Sequence, residues 1–143
     1  MGNFFTCVDN YITQEQCNYY IDMYENNTRH AYDYNDSMPL QIKADSVIES
    51  ITQNFGIRHN LDNLEIVKRS APSKMDNHFD DGDAVAFILY LNNSFKGGET
   101  VFENETVIVP KPGRLLVFSN GTLLHKVNEI TRGNRYVIAG WYK

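Results

Sequence analysis

Long apolar stretches are missing from this chain: no run approaches the roughly 20 residues that a membrane span needs. The segment Met1-Gly2-Asn3-Phe4-Phe5-Thr6 has neither the basic flank nor the apolar core of a secretion signal. The expectation is therefore a cytoplasmic protein with no membrane segment. Cysteine is scarce too, with only Cys7 and Cys17, and in a reducing compartment both should remain free thiols. Basic charge is in deficit. Thirteen Lys and Arg stand against 18 Asp and Glu, for a net charge of −5, which argues against a nucleic-acid partner. Histidine is the shortage that matters most: there are four, at positions 30, 59, 78 and 125. The sequence carries no signal of oligomeric state.

What is present suits a globular domain. The chain has 143 residues, 42% hydrophobic and 13% aromatic, enough for one domain that buries about two thirds of its unfolded surface. Thr13-Gln14-Glu15-Gln16 fits a capping box. Behind it Cys17, Tyr20, Ile21 and Tyr24 recur at helical spacing, which predicts a helix over about 14–25. Val47, Ile48, Ile51 and Phe55 predict a second amphipathic helix over about 44–55, closed by Gly56. Residues 26–39 between them read as a loop carrying Tyr32 and Tyr34.

After Gly56 the pattern changes. Short strands are predicted at 64–67, 78–80, 84–91, 99–102, 106–109, 114–118, 123–127 and 135–142, with 70–77 as a polar loop. The turns between them hold Gly97-Gly98, Pro110-Lys111-Pro112-Gly113, Asn120-Gly121 and Arg132-Gly133-Asn134. Many short strands at regular spacing favour a sandwich or barrel over alternating β/α units. The division is one domain, with 1–60 as helical support and 61–143 as the β core.

Within that core, His78-Phe79-Asp80 places an imidazole and a carboxylate on the same side of an extended strand. Two such ligands suit a divalent first-row metal but need a third. His30 lies in a polar loop and His59 just after a helix, as solvated residues do. His125 lies within a strand and shares its parity with Leu123 and Val127. A strand histidine among apolar neighbours is more often a hydrogen-bonded core residue than a ligand. Together with His78 and Asp80, however, it completes two histidines and one carboxylate, the facial triad of non-haem Fe(II) oxygenases. Arg135 follows ten residues later and opens the strand that runs to Trp141. On an otherwise apolar face shared with Val137, Ala139 and Trp141, its guanidinium needs an anion. That anion is either a neighbouring Asp or Glu or the carboxylate of a ligand.

These residues, with Tyr90-Leu91-Asn92, Gly97-Gly98-Glu99-Thr100, Pro110-Lys111-Pro112-Gly113-Arg114 and His125-Lys126-Val127, resemble the Fe(II)/2-oxoglutarate-dependent dioxygenases. The branch they resemble is that of the prolyl 4-hydroxylases, and the likeness runs over about 64–142. The resemblance implies a mainly β fold, a double-stranded β-helix (jelly-roll, cupin-like) core with the N-terminal helices against its larger sheet. It implies Fe(II) held by His78, Asp80 and His125. Arg135 would pair with the distal carboxylate of 2-oxoglutarate, Thr100 and Tyr90 would help hold that co-substrate, and Trp141 would line its pocket. Thr100, Tyr90 and Trp141 each also have a plain packing role open to them. O₂ is the other co-substrate, and ascorbate an accessory.

The activity implied is hydroxylation of a prolyl residue in a peptide or protein, with 2-oxoglutarate decarboxylated to succinate and CO₂. The same chemistry on a free amino acid or another side chain is the alternative, and a non-enzymatic cupin-like metal-binding module the third reading. Asp80 favours hydroxylation, because related halogenases carry a small residue there to admit halide. One departure stands out. The family commonly carries a co-substrate-contacting tyrosine nine or ten residues before the first iron histidine, and here those positions are Lys68 and Arg69.

Overall fold

The computed structural model describes residues 5–27, 35–40, 45–78, 85–119 and 124–143, with 35–37 and 74–78 described by their backbone. Both predicted helices are present. Helix α1 spans Gln14–Glu25, and both arms of its capping box are made. The Gln16 amide donates to Thr13 Oγ1 at 3.1 Å and the Thr13 amide to Gln16 Oε1 at 2.9 Å. Helix α2 spans Ser46–Asn54. Asp45 caps it through the amides of Val47 and Ile48, and Gly56 ends it at φ 59°.

Eleven strands are described: β1 (Phe5–Val8), β2 (Asn35–Pro39), β3 (Leu61–Ser70), β4 (Ser73–His78), β5 (Val85–Tyr90), β6 (Phe95–Lys96), β7 (Thr100–Phe102), β8 (Val107–Ile108), β9 (Leu115–Ser119), β10 (His125–Ile130) and β11 (Arg132–Tyr142). All their pairings are antiparallel. The larger sheet runs β1-β9-β5-β11-β3-β2, with β6 on β11, and the smaller runs β4-β10-β7-β8. This is the double-stranded β-helix that the resemblance implies.

The two faces of the larger sheet bury different partners. Its outer face supplies Leu64, Ile66, Phe87, Leu89, Val117, Ile138 and Tyr142 to a core shared with Cys17, Tyr20 and Tyr24 of α1 and Ile48 and Ile51 of α2. Its inner face supplies Ala86, Tyr90, Leu116, Phe118 and Val137 to a second cluster, joined by Phe102 and Ile108 of the smaller sheet. Strand alternation sorts the residues, and the parity predicted for Arg135, Val137, Ala139 and Trp141 is the one the clusters display.

Several local expectations change. The polar loop over 70–77 is largely strand β4, because β10 supplies a pairing partner for Ser73, Met75 and His78. The loop over 26–39 ends in β2, which lies along β3 from Asn35 to Pro39; residues 28–34, with Tyr32 and Tyr34, lie outside the described residues. Strands β1 and β6 have no counterpart in the sequence reading, and β3 and β11 extend well past the predicted ends.

Candidate functional site

His125 opens β10, the strand flanked by β4 and β7. Its register partners are His78 on one side and Phe102 on the other. Directly opposed positions share a sheet face, so 78, 125 and 102 form one row. His125 is 4% exposed. Its ring meets Phe118 of the facing sheet edge-on at 4.9 Å and Phe102 at 6.2 Å. Position 125 therefore faces the interior between the sheets. The side chain of His78 and the whole of Phe79 and Asp80 lie outside the described residues. Among the described residues no group of three potential metal ligands comes together.

Two residues along from the His125 row, Thr100 sits opposite Val127, on the same inner face as Phe102. Its hydroxyl lies 2.6 Å from the hydroxyl of Tyr90 at the end of β5, which ties the two sheets together. Both residues are fully buried. Burial pushes the Tyr90 phenol above its ordinary value, with Arg135 pulling the other way, so the hydroxyl keeps its proton and remains a donor.

Arg135 projects from the inner face of β11 into this corner. Its guanidinium carbon is 5.6 Å from the Tyr90 ring centroid, and its Nε donates to the Gly98 carbonyl at 3.0 Å. The residue is 3% exposed, yet its Nη2 has no hydrogen-bond partner among the described residues. Burial lowers its pKa, with Tyr90 opposing, but a guanidinium keeps its proton in proteins. A buried cation with an orphaned N–H is costly unless an anion completes it.

The turn before β7 packs tightly against β10, the Phe95 ring and this arginine. Gly97 and Gly98 have φ of 82° and 74°, a region side chains with a Cβ disfavour. A Cβ on Gly97 would sit 1.8 Å from the Glu129 carbonyl oxygen, and one on Gly98 2.8 Å from the Phe95 ring and 3.1 Å from Arg135 Cδ. Trp141, half-buried on β11, packs against the inner cluster. Three of the predicted co-substrate residues, Tyr90, Thr100 and Arg135, thus meet in one buried corner.

The two positions where the family tyrosine was absent separate by strand parity. Lys68 points outward, to Glu25 of α1 at 3.0 Å and over the rings of Tyr24 and Tyr136, whose hydroxyl also donates to Glu25. Arg69 takes the inward parity of Val67. The predicted strand stopped at Val67, so this sorting was out of reach; an extended β3 was the signal that would have provided it.

The profile of the 2OG-Fe(II) oxygenase superfamily matches residues 64–143, the segment that carries every site residue just described. The chain belongs to this superfamily. Among curated relatives, rat prolyl 3-hydroxylase 2 is 42% identical over 62 residues, which is 38% of this chain and 9% of that protein. A PKHD-type hydroxylase of Hyphomonas neptunium is 38% identical over 63 residues, covering 40% of this chain and 27% of its own. The oxygenase chain spans under a tenth of the rat protein's length. Among solved structures, viral collagen prolyl hydroxylase from Paramecium Bursaria Chlorella virus-1, in its 2OG complex, superposes with a TM-score of 0.80 at 17% identity. That match covers 98% of this chain and 95% of the viral one. A Pseudomonas putida prolyl-4-hydroxylase gives 0.74 at 17% identity over 99% and 92%. These two likenesses establish the fold.

Proposed function

We propose that this chain is an Fe(II)- and 2-oxoglutarate-dependent dioxygenase that hydroxylates a prolyl residue in a peptide or protein, with release of succinate and CO₂. The observation that carries the proposal is the orphaned, buried Nη2 of Arg135. A non-catalytic metal-binding jelly roll has no use for it, whereas a dicarboxylate co-substrate completes it. The prolyl assignment draws its support from relatives and fold neighbours named as prolyl hydroxylases.

His78, Asp80 and His125 would hold Fe(II). Two of the three positions are already opposed across β4 and β10, and neutral imidazole with carboxylate is the donor set such iron takes. Iron(II), when bound, supplies O₂ activation and oxygen transfer to an unactivated C–H bond. The rest falls to the protein. Arg135 would receive the distal carboxylate of 2-oxoglutarate through Nη2, in a site dry enough to strengthen the ion pair well beyond its worth in water. Gly98 fixes the other edge of the guanidinium. The protonated Tyr90 hydroxyl, linked to Thr100, donates without adding charge that would repel the carboxylate. The rings of Phe102 and Phe118 set the plane of His125, and Trp141 lines the pocket wall.

The test is turnover by purified protein with Fe(II), 2-oxoglutarate and ascorbate in air, offered a panel of proline-containing peptides. Succinate release and a mass gain of one oxygen on a peptide are expected. Succinate release no greater than that of His125→Ala would refute the reading.

A further inference from the structure

The register between β3 and β11 sets Arg69 directly opposite Arg135. Directly opposed residues have Cβ atoms about 4.5–5.5 Å apart, and like charges so placed repel. Both arginines take the inward parity, Arg135 nearly fully buried and Arg69 half-buried. Burial holds the Arg69 guanidinium below its usual value, with Glu65 on its own strand opposing. On Arg135, the charge of Arg69 adds to the depression that burial begins.

Two buried or half-buried cations elsewhere in the fold are answered by carboxylates, Lys68 by Glu25 and Arg114 by Asp9. Among the described residues no ion pair or hydrogen bond joins Arg69 to a carboxylate. Arg135 has the Gly98 carbonyl and the ring and hydroxyl of Tyr90, neither of them an anion, and Glu99, the nearby acid that raises its pKa, is engaged by Asn128 at 3.1 Å. Two cations opposed on the inner sheet face, one of them with a buried and unpartnered Nη2 among the described residues, call for a shared anion.

We propose that Arg69 and Arg135 form a two-guanidinium clamp on the distal carboxylate of the 2-oxo dicarboxylate, with Arg69 the second positive group of the co-substrate site. This rests on the oxygenase reading above. A carboxylate has two oxygens and about four acceptor positions, enough for Nη2 of Arg135 on one side and a donor of Arg69 on the other. The anion removes the repulsion and the desolvation cost at once. A positioning consequence follows: the clamp orients the acid by its far end and leaves its 2-oxo carboxylate end toward the row of His78 and His125.

The experiment is calorimetric binding to the Mn(II)-loaded protein, which does not turn over, with two probes. One is 2-oxoglutarate. The other is 2-oxopentanoate, which keeps the chelating end and lacks the distal carboxylate. Arg69→Gln should weaken 2-oxoglutarate about tenfold or more and shift 2-oxopentanoate less than twofold, and Arg69→Lys should recover part of the loss. Without any acid, the Arg69→Gln protein should melt no lower than the parent, because a repulsion has been relieved. Unchanged 2-oxoglutarate binding in Arg69→Gln, or equal weakening of both probes, overturns the clamp while the oxygenase reading stands. Failure of the parent protein to bind 2-oxoglutarate at all overturns that reading instead.

Discussion

The outer and inner faces of the larger sheet are built from the same strands and to opposite ends. On the outer face, β3, β5 and β11 present Leu64, Ile66, Phe87 and Ile138 to two helices, and the buried cation Lys68 is answered by Glu25. On the inner face the same strands present Arg69, Tyr90 and Arg135, and among the described residues no carboxylate pairs with either arginine. Adjacent residues 68 and 69 show the contrast at its sharpest: two cations, one step of the chain apart, one neutralised by the fold and one facing another cation. The outer face stabilises, while the inner face stores an unmet electrostatic demand that a ligand can satisfy.

Substitutions can break this contrast in order of size. Arg135→Ala should raise the 2-oxoglutarate KM by about 100-fold or more with little change in melting temperature; equal KM values would remove Arg135 from the site. Ile66→Ala, on the opposite face of the neighbouring strand, should lose about 2–5 kcal/mol in urea unfolding and keep its KM for 2-oxoglutarate. Gly98→Ala forces a Cβ into a positive-φ turn against Arg135 Cδ, so co-substrate affinity should fall about tenfold, read by calorimetry, with a stability loss of about 1 kcal/mol or more. Tyr90→Phe strips the hydroxyl from Thr100 and should cost about 1–2 kcal/mol of stability with a several-fold KM rise. Smallest of all, Lys68→Met should change stability by about 1 kcal/mol and leave kinetics as they were. A kinetic defect in Lys68→Met would erase the distinction between the faces.

Local chemistry made part of this legible in the sequence. The cap at Thr13, the stop at Gly56 and the two-residue alternation from Arg135 to Trp141 are written within a few residues of where they act. The meeting of Tyr90, Thr100 and Arg135 joins three strands and was implied by the family likeness, not by local chemistry. Strand β4 was hidden because Ser73-Lys74-Met75-Asp76-Asn77 has the composition of a loop and becomes extended only through its ladder to β10. Strand β2, Asn35–Pro39, is likewise held by β3. Arg69 was ambiguous for the same reason: its direction depends on how far β3 continues, and its significance on which residue of β11 it opposes. Register between distant strands is a tertiary property, which no local pattern encodes.

The strand order of the larger sheet bears on what could serve as a minimal working fragment. Its two outermost strands, β1 and β2, both come from the first 39 residues, ahead of the segment that carries the family match. Excised alone, residues 64–143 would expose the ladder edges of β9 and β3 along with the apolar face the helices cover, a template for edge-to-edge association. The N-terminal third therefore acts as a pair of bumpers for a β body that would otherwise be sticky. Any attempt to trim the protein down to its family signature should yield aggregates in place of a smaller folded unit.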